Sequence, residues 1–161
     1  MSDTEAKDRA AVHFPPPLVF IGSMAIAYVL HRWLWPLAMG LALPFWLPIG
    51  IGVLLVLSGF SMILMGSSLF KKTGQEPEPW TTTPEIISTG IYRYSRNPMY
   101  VGMALIQAGI GVAAEILWII ILTPAAIGIV YQIAVRQEEA YLEKKFGQPF
   151  QAYQRSTRRW L

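Results

Sequence analysis

Two short stretches of this chain carry residue types and spacings that could do chemistry. The first, RYSRNPMYVG at 93–102, sets Arg93, Arg96 and Asn97 hard against an apolar run. Pro98 suits the first turn of a helix, where a missing N–H matters least. A helix N-terminus offers free N–H groups and a partial positive charge. Arg96 and Asn97 in front of it would therefore seat a carboxylate or a phosphate. Tyr92, Tyr94 and Tyr100 add aromatic faces able to stack on a base. The plainer alternative is that Arg93 and Arg96 only anchor the helix to lipid headgroups.

In the second stretch, VRQEEAYLEKKFGQPFQAYQRSTRRWL at 135–161, Glu138 and Glu139 follow a long apolar run. Neighbouring helical residues point about 100° apart, so at most one of the two glutamates can face a given site squarely. The plainer alternative is surface pairing, of Arg136 with Glu139 and of Tyr141 with Lys145. Glu139 and Glu143 are like charges four apart, which is unfavourable unless a cation lies near. Gly147 and Pro149 end the helix. The amphipathic remainder, with Phe150, Tyr153 and Trp160 among basic residues, is expected to lie at a membrane interface.

These stretches need elements to position them, and composition sets their solvent. Of 161 residues, 53% are hydrophobic and only 14% are charged, against roughly 25% charged in a soluble domain. The chain reads as an all-α integral membrane protein, one domain over 1–161. The absence of cysteine excludes disulfides, thiolate metal sites and thiol nucleophiles. His13 and His31 are far apart, so no metal site is expected. The net charge of +3 is better explained by membrane topology than by nucleic-acid binding.

A polar tail over 1–13 precedes a first apolar span after Pro15–Pro17, with Trp33 and Trp35 as interfacial anchors. Residues 45–70 hold no charge in 26 positions, enough to span the hydrocarbon. Residues 98–135 hold one charge, Glu115, in 38 positions. As one helix they would run about 57 Å, so they must fold back as a hairpin, with the turn expected at 111–115. The division is a tail (1–13), two spans (14–70), a polar loop (71–97), then hairpin and C-terminal segment (98–161). Pro77, Pro79 and Pro84 make part of that loop irregular. With four spans, 12 of the 13 Lys and Arg residues share one side, leaving only Arg32 opposite. The positive-inside rule makes that side cytoplasmic, and the segments that could do chemistry lie on it. Gly52, Gly59 and Gly66 share one helix face, as do Gly102 and Gly109, a spacing that permits close helix contact in lipid.

TGIYRYSRNPMYVG followed by EEAYLEKKFGQPFQAY resembles the membrane methyltransferases typified by isoprenylcysteine carboxyl methyltransferase and the phospholipid methyltransferases. Their signature is Arg-His-Pro-x-Tyr-x-Gly, a helix hairpin, Glu-Glu-x-x-Leu, and Phe-Gly-x-x-Tyr-x-x-Tyr. The likeness covers about residues 84–160. It implies an S-adenosylmethionine (SAM) site between the loop before the hairpin, the hairpin itself and the C-terminal segment. Tyr92, Arg96, Asn97, Pro98, Tyr100, Gly102, Glu138 and Glu139 would bind the cofactor. A substrate-site arginine of the family falls near Arg155 and Arg159, and Glu139 and Arg159 are the residues expected to act in catalysis.

Asn97 stands where the family often has histidine, and Phe150 with Tyr153 replaces its Tyr-x-x-Tyr. The acceptor is expected to be a lipophilic, membrane-resident small molecule, with membrane lipids around it and no nucleic acid or protein partner. Two rivals are an NADPH-dependent sterol-type reductase and a non-catalytic scaffold. The reductases' Arg-Asp-x-x-Arg-Cys pattern is replaced here by RQEEAYL, and the second motif is retained.

Overall fold

The computed structural model describes residues 10, 12, 14–40, 43–74, 76, 81 and 83–161. Most of the expected polar tail, including His13, and Pro77 and Pro79 of the loop lie outside the described residues. Among the described residues are six α-helices: α1 Pro16–Val29, α2 Trp46–Lys72, α3 Pro98–Ala113, α4 Leu117–Val130, α5 Arg136–Phe146 and α6 Gln148–Ser156. There is no strand among the described residues, only two isolated bridges, Ala38 with Ile116 and Ser95 with Arg158. A π-turn, Leu30–Leu34, extends α1, and a second, Tyr131–Val135, joins α4 to α5 without a break. Nothing in the residue types announces either π-turn.

Among the described residues, three helical stretches are long and apolar enough to cross a membrane: Pro16–Leu34, Trp46–Lys72 and Leu117–Phe146. The fourth expected span, α3, is apolar but has only 16 residues. Its length is set by the hairpin turn at Ala114–Ile116, at the end of the expected interval, with Glu115 at φ 54°. The Glu115 carbonyl accepts the Met39 N–H at 3.2 Å, and the Leu117 N–H donates to the Leu37 carbonyl at 3.1 Å. The turn is thereby tied to the α1–α2 connection.

α2 and α3 run antiparallel along the two glycine rows. A Cβ on Gly52 would come within 2.5 Å of the Gly109 carbonyl oxygen, and one on Gly102 within 2.6 Å of the Gly59 carbonyl oxygen. The rows let two backbones meet, which is how small residues bring helices together in lipid. Gly66, one heptad further, lies against Met99 and the Tyr92 hydroxyl, so the row runs on to the polar end of the helix pair.

α1 packs on α4 and α3 through Phe20, Ala27, Ala104, Ala126 and Val130, all buried. One polar residue joins all three helices. The Gln107 carboxamide is fully buried, accepts from Ser23 Oγ at 2.9 Å and donates to the Ile119 carbonyl at 3.3 Å. An unpaired amide there would cost free energy, so this side chain fixes a register that apolar contact alone would leave loose.

The glycine contact gives a test with an internal control. Gly59→Leu forces a side chain into the α2–α3 seam, where overpacking costs about 1–3 kcal/mol. Gly22 and Gly128 have nothing within 4 Å of an added Cβ. Thermal unfolding in detergent should show a clear loss of melting temperature for Gly59→Leu and little for Gly22→Leu or Gly128→Leu.

Candidate functional site

The loop before α3 tightens into a 3-10 turn, Gly90–Arg93, where Gly90 supplies φ 58°. This turn presses the buried Tyr92 ring against Phe70 of α2, edge to face, with centroids 5.7 Å apart. Pro98 then opens α3, and no side chain caps that helix. Its first residues face a cavity of about 120 Å³, bounded by Tyr92, Arg96, Asn97, Pro98, Met99 and Tyr100. Glu138, Tyr141 and Leu142 of α5 and Tyr153 of α6 form other parts of the wall. Phe70, Glu76 and the 83–87 segment complete it, together with Ala10 from the segment before α1.

The two glutamates divide as the helical angle requires. Glu138 lies on the cavity wall and accepts the Tyr100 hydroxyl at 2.6 Å. Glu139 lies outside it and takes two guanidinium groups. Arg96 Nη2 donates to its Oε1 at 2.9 Å, while Arg159 Nε and Nη2 fork onto Oε1 and Oε2 at 3.0 and 2.9 Å. Arg136, the partner that sequence spacing suggested for Glu139, has no ion pair with it. Two cations near one carboxylate also answer the like-charge repulsion from Glu143, whose carboxylate accepts from Gln151 at 3.1 Å.

Arg96 is 10% exposed, Glu139 15% and Arg159 38%. A second Arg96 nitrogen donates to the Gln154 carbonyl at 3.2 Å, but its buried Nε–H has no partner among the described residues. Arg159 also lies over the Tyr131 ring, 5.1 Å from its centroid, and its hydrogen bond to Glu139 raises its pKa.

A strap from the C-terminal segment closes this side of the site. Ser95 and Arg158 pair as parallel backbone, with the Arg96 N–H on the Arg158 carbonyl at 2.9 Å. Asn97 does not cap α3; its Nδ2 donates to the Arg159 carbonyl at 3.0 Å. Tyr153 Oη donates to the Tyr92 carbonyl at 2.6 Å. Burial pushes the Tyr153 phenol up to about 12 and raises Tyr92 as well. At neutral pH both are neutral donors, not bases.

Of the residues expected from sequence, Tyr92, Arg96, Asn97, Pro98, Tyr100 and Glu138 line the cavity. Gly102 faces Gly59 in the helix seam, and Glu139 and Arg159 form the ion cluster beside the cavity. Tyr94 turns outward, 71% exposed. In the amphipathic remainder, the apolar face of α6 is turned into the protein. Phe150 is buried in the protein and Tyr153 packs beside it at 6.3 Å. Tyr141 and Tyr153 were not among the expected site residues. Tyr141 had a usable signal, since it stands three residues from Glu138 and so shares its face.

Apolar helices long enough to cross a bilayer, with tyrosines, a carboxylate and a guanidinium gathered around a cavity at their polar ends, define a membrane protein with a polar-lined cavity. The particular family comes from comparison. The family model described as phospholipid methyltransferase matches residues 47–149, and this chain belongs to that family. The matched interval contains α2 from its second residue, the cavity-lining start of α3, the hairpin and the glutamates of α5, and ends before Tyr153 and the strap. No curated protein and no solved structure matches the chain. The likeness read from the two motifs is borne out, and methyl transfer is the activity class of the family.

The different surroundings of the two glutamates should separate their variants. Glu139→Gln removes the charge facing two arginines and should cost about 1–3 kcal/mol, the scale of hydrogen bonds to charged groups. Glu138→Gln keeps an acceptor for the Tyr100 hydroxyl and should leave stability nearly unchanged. Melting temperatures of the two variants in one detergent give the comparison.

Proposed function

We propose that this protein is a SAM-dependent integral membrane methyltransferase acting on a lipophilic, membrane-resident acceptor. The observation that carries this reading is the meeting of its two motif segments at one cavity, with Arg96 and Glu138 both on the wall. SAM bears an ammonium and a carboxylate together, so its site needs an acid and a base in one place. Arg96, with a buried N–H unpartnered, and the uncapped start of α3 suit the carboxylate. Glu138 suits the ammonium or the ribose hydroxyls. The faces of Tyr92, Tyr100 and Tyr153 suit an adenine ring or a cationic centre.

When bound, SAM supplies a methyl group activated on a sulfonium. The chain's part is to orient and to exclude water, which is most of what an in-line methyl transfer needs. Glu139 and Arg159 act beside this pocket by holding Arg96 against its wall. The lipophilic acceptor enters from the bilayer side.

The same reading has four spans, with the cavity and both ends of the chain on the cytoplasmic side. α3 would cross as the short partner of α2, about 24 Å long at 1.5 Å per residue. The gathering of basic residues on that side supports the orientation.

Calorimetry in detergent should detect binding of SAM or S-adenosylhomocysteine and little binding of NADPH; the opposite preference would overturn the methyltransferase reading. Arg96→Lys keeps the charge but cannot reproduce a forked, directed hydrogen bond, so it should weaken SAM binding by about 1–3 kcal/mol. Unchanged affinity would remove Arg96 from the cofactor site. Labelled SAM incubated with the protein and a total membrane extract should then mark the acceptor. Reporter fusions after Leu161 and within 36–44 should report opposite sides of the membrane, and same-side signals would refute the four-span arrangement.

A further inference from the structure

Arg93 and Arg96 leave the chain three residues apart and go different ways. Arg96 turns inward onto Glu139, whereas Arg93 and Tyr94 are exposed. The Ser95–Arg158 pairing lays a second basic segment alongside them. The Arg96 N–H meets the Arg158 carbonyl at 2.9 Å, and Thr157 Oγ1 donates to the Arg93 carbonyl at 3.5 Å. Arg158 is exposed, and so is Arg155 in the last turn of α6. The fold thus gathers three outward arginines and an exposed tyrosine from segments some sixty residues apart in sequence.

None of the three arginines has an ion pair among the described residues. Two nearby carboxylates are already engaged, Glu139 by Arg96 and Arg159, Glu143 by Gln151. The patch is also separate from the site described above, since none of these four residues lines the cavity.

Its level in the fold says what meets it. The patch adjoins Pro98, where apolar α3 begins, and the apolar face of α6 is turned into the protein, leaving the basic side outward. Exposed arginines beside a tyrosine, where helices leave the hydrocarbon, lie at headgroup depth. An anionic leaflet presents dense negative charge there, whereas a dilute soluble anion meets only screened, exposed cations.

We propose that Arg93, Arg155 and Arg158, with Tyr94, form a docking site for the headgroup of an anionic phospholipid. The arginines supply the charge and the forked donors that phosphate oxygens accept, and Tyr94 supplies an interfacial aromatic contact. A lipid held there bridges the loop before α3 and the C-terminal strap, the same two segments that the Ser95–Arg158 pairing joins.

Native mass spectrometry of the full chain, released from detergent with added phosphatidylglycerol or phosphatidylcholine, tests this. The native chain should retain phosphatidylglycerol at least about tenfold more tightly. Arg93→Gln, Arg155→Gln and Arg158→Gln should each weaken that preference about fivefold, the effect of one cation near an anionic surface. Lys71→Gln with Lys72→Gln, which removes basic charge elsewhere, should leave the preference in place. Equal retention of the two lipids by the native chain, or an equal loss in the lysine control, would overturn the proposal. Displacement of the lipid by inorganic phosphate would overturn it too, because the site would then be one for soluble anions.

Discussion

A carboxylate brought to the edge of a hydrocarbon layer loses water, and it must find cations to replace that water. Glu139 finds two, and their origins determine how the polar end of this protein is built. Arg96 comes from the loop before α3 and Arg159 from the segment after α6, so one acid draws together three parts of the chain. Such a pair is weak evidence for stability, since desolvation offsets much of the attraction. Its contribution here is geometric. With Arg159 forked onto both oxygens, Glu139 presents a fixed acceptor to Arg96 and sets where that guanidinium lies on the cavity wall.

Beneath this cluster the constraint is of another kind. At Gly52–Gly109 and Gly59–Gly102 the α2–α3 seam is backbone against backbone, so the relative height of the two helices has little freedom. Tyr92 sits at the end of that seam, beside Gly66 and Phe70, and so inherits the helix register. Gln107 does the same for α1 and α4 deeper in the bundle. The cavity is therefore framed by helices fixed through close contact, and the ion cluster adds the final orientation.

How much of this was legible in the sequence follows from the range of each signal. Apolar runs are local, so the helices, the fold-back and the glycine seam could be read from 45–70, 98–135 and the heptad spacing. The motif residues could be grouped because a resemblance joined them. The partners of Glu139 were not legible: Arg136 is close in sequence, while Arg96 and Arg159 lie 43 and 20 residues away. Which way the apolar face of α6 turns was not legible for a related reason. An amphipathic helix records that one face is apolar, and that face is equally content against lipid or against Tyr92 and α5. The Ser95–Arg158 pairing is made by backbone groups, which every residue type carries, so no composition could announce it.

The π-turn at Tyr131–Val135 has a consequence for chain length. A π-turn closes its ring one residue later than an α-turn and so stores an extra residue over nearly the same rise. Deleting one residue there would restore ordinary α geometry and leave Glu138 and Tyr141 aimed as they are. Deleting one between 136 and 138 would swing the glutamates about 100° around the axis. The interval from Pro124 to Arg136 is thus elastic by a single residue, while the interval from Arg136 to Tyr141 is rigid. When chains of this architecture are aligned, a one-residue gap before the paired glutamates should be read as a relaxed turn within one continuous helix, with the pocket unaltered.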